Sequence, residues 1–133
     1  MVLDNLYIES TPTTPEVDFN KDTGKLSISG RSIPEDAKSF WSEPAEWLFN
    51  YISLSKSKKL ELNINLDYFN ISSSKMILTF LYRLNDYFKS GADVKITWNY
   101  KEEDEDMFEV GKDYEHMINI PFEFVEIKEK LFL

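Results

Sequence analysis

The chain has 133 residues, of which 42% are hydrophobic and 15% aromatic, and its 24 acidic against 15 basic residues give a net charge of −9. The length and hydrophobic content predict a single domain over residues 1–133. The negative charge disfavours nucleic acid and anionic membranes as partners. Because cysteine is absent, disulfides and thiolate metal sites are excluded. No stretch approaches the roughly 20 apolar residues that span a bilayer, and no signal-peptide pattern begins the chain, so we expect a cytoplasmic protein.

The first third of the chain predicts strands. Residues 6–8 are apolar or aromatic and precede a proline-containing segment, which favours a short edge strand with an extended connection. Apolar side chains alternate over residues 17–19 and again over 26–28. The segment between them, residues 20–24, contains Asn, Asp and Gly and predicts the turn of a β-hairpin.

A helix is predicted to follow the hairpin. In the segment 30–35, Ser32 is placed to cap the helix and Pro34 suits one of its first positions. Pro44 would interrupt such a helix, since proline lacks the donor and clashes with the preceding turn. We therefore expect a bent or two-part helix that continues through Trp47 and ends before a polar link at residues 53–59.

The central segment predicts a strand followed directly by an amphipathic helix. Residues 60–66 alternate strictly between apolar and polar, which is typical of a strand buried on one face. Apolar residues then recur at helical spacing over 76–88, until Gly91 provides a stop. The serines at 72–74 consequently fall at the helix N-terminus, where backbone N–H groups and the helix dipole favour oxygen ligands and anions.

The remaining segments repeat this alternation of strand and helix. Residues 94–100 predict another strand, 102–118 a helix weakened by Gly111, and 121–127 a last strand at an edge, before a short tail at 128–133. Alternating strands and helices imply parallel pairing, whereas the first hairpin is antiparallel. The predicted fold class is α/β, a two-layer domain with a mixed sheet of about five strands and helices mainly on one face.

The serine cluster has three interpretations. A serine commonly caps a helix, which needs only one of the three hydroxyls. A phosphate on a serine here would add about −1.5 to −2 charges at a position that tolerates them, and would change the surface offered to partners. Ser72 and Lys75 also match the S-x-x-K spacing of a serine nucleophile, although the companion S-D-N and K-T-G elements are missing.

The sequence gives little support to metal-binding, histidine-based or cofactor-dependent chemistry. The acidic run 102–106 lacks the alternating ligands of a calcium loop and favours a solvated helix start. His116 is the only histidine, which excludes sites built on several histidines. Glycine-rich phosphate loops are missing, so we predict no cofactor and no metal. Trp41, Trp47 and Trp98 are expected in the core.

Four motifs together resemble those of the SiaC-like regulatory phosphoproteins, bacterial relatives of the STAS-domain anti-sigma-factor antagonists. The resemblance covers nearly the whole chain, and the junction Asn70-Ile71-Ser72-Ser73 is its most specific part. The motifs are Ser10-Thr11-Pro12, Gly30-Arg31-Ser32-Ile33-Pro34-Glu35, Tyr68-Phe69-Asn70-Ile71-Ser72-Ser73, and Trp98-Asn99-Tyr100 before the acidic run.

The resemblance implies a STAS-like, non-enzymatic signalling switch. A partner kinase would phosphorylate a hydroxyl at the strand–helix junction, a PP2C-type phosphatase would remove the phosphate, and one form would bind a target. In the SiaC system that target is a diguanylate cyclase, which connects the switch to cyclic-di-GMP signalling and biofilm formation.

The site residues follow from the same resemblance. Ile71 occupies the position of the family's phosphoacceptor threonine, so Ser72 becomes the candidate phosphoacceptor. We expect the neighbouring side chains to form the partner-recognition surface, namely Asn70, Ile71, Ser73, Ser74 and Lys75. Two alternatives stay open: a constitutive binding module without phosphorylation, and a small serine hydrolase that uses Ser72 and Lys75.

Overall fold

A computed structural model describes residues 3–54 and 59–128, and these form six strands and three helices. The elements in chain order are β1 (Leu6–Ile8), β2 (Glu16–Asn20), β3 (Lys25–Ser32), α1 (Ala37–Leu54), β4 (Lys59–Phe69), α2 (Ile71–Lys89), β5 (Asp93–Lys101), α3 (Glu105–Met117) and β6 (Phe122–Ile127). Residues 55–58 of the expected polar link and 129–133 of the expected tail lie outside the described residues.

The six strands form one mixed sheet in which spatial order equals chain order, from β1 to β6. β1, β2 and β3 pair antiparallel, whereas β3, β4, β5 and β6 pair parallel. The predicted hairpin is confirmed: Gly24 has a φ of 70°, and its N–H donates to the carbonyl of Asn20 over 3.0 Å. The prediction of a mixed sheet is confirmed, with six strands where about five were expected.

One face of the sheet carries the core. The alternating apolar side chains of β2, β3, β4 and β5 are buried, from Val17 on β2 to Trp98 on β5. Each of the three helices connects a strand to its parallel neighbour, and all three connections run in the same direction across the sheet. Because such crossovers are right-handed, the three helices lie on a single face of the sheet. The opposite face presents polar side chains such as Asn63 and Asn65, which are exposed. All three tryptophans are buried, as predicted.

The predicted start of α1 is wrong. Ser32 is the last residue of β3 and is completely buried, so it does not cap the helix. The helix begins five residues later at Ala37, and the Asp36 carboxylate accepts a hydrogen bond from the N–H of Ser39 over 3.1 Å. The error arises because Ser32 pairs with Phe69 of β4, and this pairing extends the strand into the predicted cap.

Of the predicted bent or two-part α1, the two-part form is wrong and the bend stays a prediction. The helix is continuous from Ala37 to Leu54 with Pro44 inside it. Because the helix starts at Ala37, Pro44 lies only two turns from its beginning and removes a single backbone hydrogen bond. Pro44 itself is buried against the core.

The start of α3 is shifted in the same way. The helix begins at Glu105 instead of residue 102, and the side chain of Asp104 accepts a hydrogen bond from the N–H of Met107 over 3.0 Å. Glu105 and Asp106 lie exposed in the first turn, as expected of a solvated helix start. Gly111 lies inside the helix. An ideal Cβ there would stand 2.6 Å from the Trp98 ring, so the close approach of this ring requires glycine at the position.

Candidate functional site

The candidate site lies where β4 ends and α2 begins. In a parallel sheet with helical connections, helices start at the carboxyl edge of the strands, and ligands and partners tend to bind there. β3 ends at Ser32, β4 at Phe69 and β5 at Lys101 along this edge. The start of α2 at Ile71 is therefore flanked by the ends of two neighbouring strands.

Asn70 fixes the beginning of α2. Its backbone is extended, with φ −83° and ψ 175°, and its side-chain oxygen accepts a hydrogen bond from the N–H of Ser73 over 2.9 Å. Its own N–H donates to the carbonyl of Ser32 over 3.1 Å. The interpretation of a serine as the cap is therefore wrong. Because β4 continues to Phe69, the capping position falls on Asn70, and the serines occupy the first helical turn.

The Ser73 hydroxyl points into the protein. The side chain has no exposed surface, and its oxygen accepts a hydrogen bond from the Ser32 hydroxyl over 2.8 Å. The indole N–H of Trp41 donates in turn to the Ser32 oxygen over 3.3 Å. This buried chain joins α1, β3 and α2, which leaves the Ser73 hydroxyl inaccessible to another protein.

The Ser74 hydroxyl is engaged with α3. Its oxygen lies 2.5 Å from the hydroxyl of Tyr114, which is itself 3.4 Å from the Ser74 carbonyl. Burial raises the pKa of Tyr114, and the hydrogen bond with Ser74 acts in the opposite direction. Ser74 therefore ties the first turn of α2 to α3.

Ser72 differs from both neighbours. Its side chain is exposed, and within the described residues its hydroxyl has no hydrogen-bond partner. Ile71 beside it is 79% exposed, and Tyr68 at the end of β4 is 54% exposed. Lys75 follows one turn further along α2 and is exposed. The predicted site residues thus separate into an exposed group (Ile71, Ser72, Lys75) and a supporting group (Asn70, Ser73, Ser74).

The geometry of Ser72 and Lys75 does not support the hydrolase alternative. A serine nucleophile needs a base within hydrogen-bond reach. In the part of the chain that the structure describes, the Lys75 amine is hydrogen-bonded neither to Ser72 nor to any other group. The described residues also contain no group of three or more His, Cys, Asp or Glu side chains that could hold a metal ion.

Three residues outside the predicted set support the site: Ser32, Trp41 and Tyr114. The sequence pattern predicts Ser32 as a helix cap and Trp41 as a core residue, and nothing in the local pattern of Tyr114 connects it with Ser74. Their contacts span 41 and 40 positions in the chain, from Ser32 to Ser73 and from Ser74 to Tyr114. Such pairings depend on the arrangement of β3, α2 and α3, so no signal in neighbouring residues reveals them.

A sheet covered on one face by three helices, with an exposed hydroxyl at a strand–helix junction, defines a small α/β domain. The family model for SiaC family regulatory phosphoproteins matches residues 8–127, and the chain belongs to this family. In the described residues no helix is both long and apolar enough to cross a bilayer.

Similar proteins agree with the family. An uncharacterised protein of Pseudomonas aeruginosa strain UCBPP-PA14 is 27% identical over 120 residues, which are 90% of this chain and 94% of the relative. The solved structure of SiaC from P. aeruginosa superposes with a TM-score of 0.87 at 25% identity, over 93% of this chain and 99% of that one. A crystal structure of the diguanylate cyclase SiaD in complex with its activator SiaC, also from P. aeruginosa, matches with a TM-score of 0.87 and 26% identity, over 92% of this chain and 99% of the matched chain.

Proposed function

We propose that this protein is a non-enzymatic switch of the bacterial cytoplasm, which binds and regulates a diguanylate cyclase. A partner kinase phosphorylates Ser72, and a PP2C-type phosphatase removes the phosphate. The observation that carries this proposal is the difference between the three serines. Ser73 and Ser74 hold buried or half-buried contacts, whereas the Ser72 hydroxyl is exposed and unbonded within the described residues.

The choice of target follows from the relatives. The SiaC protein of P. aeruginosa is the activator of the diguanylate cyclase SiaD and is present with it in a complex. The near-complete coverage of both chains supports a target of the same class for this protein. A binding role also agrees with the exposed apolar side chains of Tyr68 and Ile71 at the junction, because such residues are favoured in interfaces.

The first turn of α2 tolerates a phosphate at Ser72. The added charge of about −1.5 to −2 would lie at the positive end of the helix dipole. Lys75 stands at i+3, a neighbouring position on the helix surface, where its amine favours the new charge. Among the described residues, Ser72 makes no side-chain hydrogen bond that the phosphate would break, so phosphorylation changes partner binding through repulsion and desolvation at the interface without refolding the domain.

The test is phosphosite mapping of the protein co-expressed with its kinase. We expect an increment of about 80 Da, the mass of one phosphoryl group, which maps to Ser72 and disappears after treatment with the PP2C-type phosphatase. Ser72→Ala should abolish the increment, and the matched variant Ser74→Ala should retain it. A phosphate on another residue, or none in the presence of the kinase, overturns the proposal.

The constitutive binding module remains the second candidate because of one observation. Ile71, at the position of the family's phosphoacceptor, has no hydroxyl and is 79% exposed. An apolar side chain there can contribute to a permanent interface. In that case Ser72→Asp leaves the affinity for the diguanylate cyclase unchanged, whereas the switch requires this affinity to change, as measured by calorimetry with the purified cyclase.

A further inference from the structure

Two side-chain contacts join α2 to α3. At one end, the Ser74 hydroxyl lies 2.5 Å from the hydroxyl of Tyr114. At the other end, the buried Asn85 side chain donates to the Asn119 side chain over 3.3 Å and accepts from the Asn119 N–H over 2.8 Å. The residues that lie between these two contacts on each helix therefore border the same strip of surface.

Large apolar side chains are exposed along this strip. Tyr82 of α2 is 44% exposed, and Met117 at the end of α3 is 50% exposed. Leu78, one turn before Tyr82, and Val110, two turns before Met117, are half-buried on the same helices. Ile71 continues the row on α2, because it is exposed and stands about two turns before Leu78 on the same helix face. Exposed apolar rows with tyrosine and methionine are favoured in protein interfaces.

The α3 side of this surface is acidic. Glu109 and Asp113 are exposed and stand four residues apart, so they share one face of α3 with the exposed methionine at its end. Neither carboxylate has an ion-pair partner in the part of the chain that the structure describes, and Lys112, the one lysine of α3, pairs with Glu115 over 3.4 Å. The acidic run 102–106 reaches into the first turn of the same helix. α3 therefore creates a negative field beside the apolar row.

The α2 side carries charges of both signs. Lys75 and Lys89 are exposed, as is Asp86, and none of them has an ion-pair partner among the described residues. Arg83 lies on the other side of α2, where it borders the cavities next to α1. His116, also exposed on α3, adds no formal charge at pH 7. The two lysines do not balance the carboxylates of α3 and of the acidic run, so the surface has an excess of negative charge.

This charge decides between the possible occupants. A second copy of the chain would oppose the same carboxylates to each other, because a two-fold interface pairs the same surface of both subunits. Nucleic acid and anionic membranes are repelled by the same field. A protein segment with an apolar face and basic side chains is complementary both to the apolar row and to the carboxylates of α3.

We propose that this surface binds a basic amphipathic segment of a partner protein. The segment lays its apolar side chains on the row between α2 and α3, and its lysines or arginines lie over α3. The inference goes beyond the proposed function, since it assigns the chemistry of the bound segment and requires no phosphate on Ser72. We call the binding region the α2–α3 surface, and it comprises Ile71, Leu78, Tyr82, Glu109, Asp113 and Met117.

The test uses the unmodified protein and three synthetic peptides, so it needs neither the kinase nor the cyclase. The peptides share a helical alanine background with leucines at i, i+4 and i+7, and their flanking positions are arginine, glutamine or glutamate. Fluorescence anisotropy measures affinity, and backbone amide NMR shifts locate the binding site. We expect the arginine peptide to bind saturably, with shifts in α2 and α3. Its affinity should exceed that of the glutamate peptide at least about tenfold, with the glutamine peptide between them.

Matched variants separate the α2–α3 surface from the general effect of net charge. Glu109→Lys/Asp113→Lys should weaken binding of the arginine peptide at least about tenfold and strengthen binding of the glutamate peptide. Asp22→Lys/Glu43→Lys makes the same change of net charge at exposed positions outside α2 and α3. Because distant charges are screened by salt, this second variant should leave both affinities within about twofold. Tyr82→Ala should weaken all three peptides, while circular dichroism verifies that each variant is folded.

Several results would overturn the inference. They are equal affinity for the arginine and glutamate peptides, NMR shifts outside α2 and α3, equal losses in the two double variants, self-association through this surface, or no saturable binding of the arginine peptide up to about 1 mM. Failure of phosphosite mapping at Ser72 would leave these results untouched. The inference and the proposed function can therefore fail separately.

Discussion

The hydroxyl of Ser32 donates a hydrogen bond to the hydroxyl of Ser73 over 2.8 Å, and neither side chain has any exposed surface. The bond joins the end of β3 to the first turn of α2. The backbone N–H of Ser73 also donates a hydrogen bond to the Asn70 side chain. Ser73 is therefore held both by Ser32 at the end of β3 and by the residue that caps α2. The exposed hydroxyl of Ser72 is thus presented from a fixed turn.

We expect Ser73→Ala to lower the free energy of unfolding by about 1–3 kcal/mol, because it leaves the buried Ser32 hydroxyl without an acceptor. Urea unfolding followed by circular dichroism measures the change. The double variant Ser32→Ala/Ser73→Ala should lose less than the sum of the single variants, since both partners are then absent. Ser72→Ala, at the adjacent exposed position, should stay within about 0.5 kcal/mol of the wild type.

We expect Asn70→Ala to lower the free energy of unfolding by about 0.5–2 kcal/mol, because α2 loses the acceptor for the Ser73 N–H. Asn70→Asp should retain most of the stability, since a carboxylate also caps and suits the helix dipole. Amide hydrogen exchange gives a local readout. Exchange in the first turn of α2 should accelerate in the alanine variant, and unchanged exchange there would contradict the assignment of the cap.

We expect Gly111→Ala to be destabilising although alanine favours helices. An ideal Cβ would stand 2.6 Å from the ring of Trp98 and 2.9 Å from that of Phe124, and Trp98 is completely buried. Overpacking of this kind costs about 1–3 kcal/mol, against a gain of about 1 kcal/mol in helix propensity. Thermal unfolding measures the balance. Glu109→Ala, at an exposed position of α3, provides the control and should be close to neutral.

We expect Ser72→Asp to stabilise the fold by about 0.3–1 kcal/mol at low salt, because the new carboxylate lies in the first turn of α2. The gain should shrink as sodium chloride is added, since salt screens the interaction with the helix dipole. Urea unfolding at two ionic strengths checks both statements. A loss of stability would show that this turn does not tolerate negative charge, which argues against Ser72 as a phosphoacceptor.

We expect stability to fall at alkaline pH in part through Tyr114. Burial raises the pKa of its phenol above the ordinary value of 10.0, so the folded protein holds the proton more tightly than the unfolded chain. The resulting stabilisation is complete below pH 10 and is lost as the pH rises through the folded pKa. Tyr114→Phe should flatten this decline in urea unfolding between pH 9 and 11. Burial also raises the pKa of Tyr87, so a residual decline should remain.

Alternating patterns identified the strands correctly because one face of the sheet is buried and the other is polar. The period of two over residues 60–66 and 94–100 therefore predicted β4 and β5, and the helical period over 76–88 predicted α2. The ends of the strands and helices were harder to predict from the sequence. β4 continues through the exposed Asp67 and Tyr68 because Tyr68 pairs with Arg31 of β3, and this pairing is set by the neighbouring strand.

The motif predicts Ser72 and its neighbours as site residues, and their functional role stays a prediction. The structure places Asn70 at the cap of α2 and residues 71–75 at the start of this helix. What the pattern did not reveal was the different environment of each serine. That difference depends on Ser32 and Tyr114, which are distant in the chain and reach the junction only through the packing of β3 and α3.

The order of strands in the sheet has a consequence for synthesis of the chain. Because spatial order equals chain order, each newly made strand finds its pairing partner among residues that precede it. The residues that hold Ser73, namely Ser32, Trp41 and Asn70, are all made before it. Tyr114 is made later, so the contact of Ser74 forms only once α3 has emerged. During synthesis, every partner of Ser73 at the junction is thus available before the partner of Ser74.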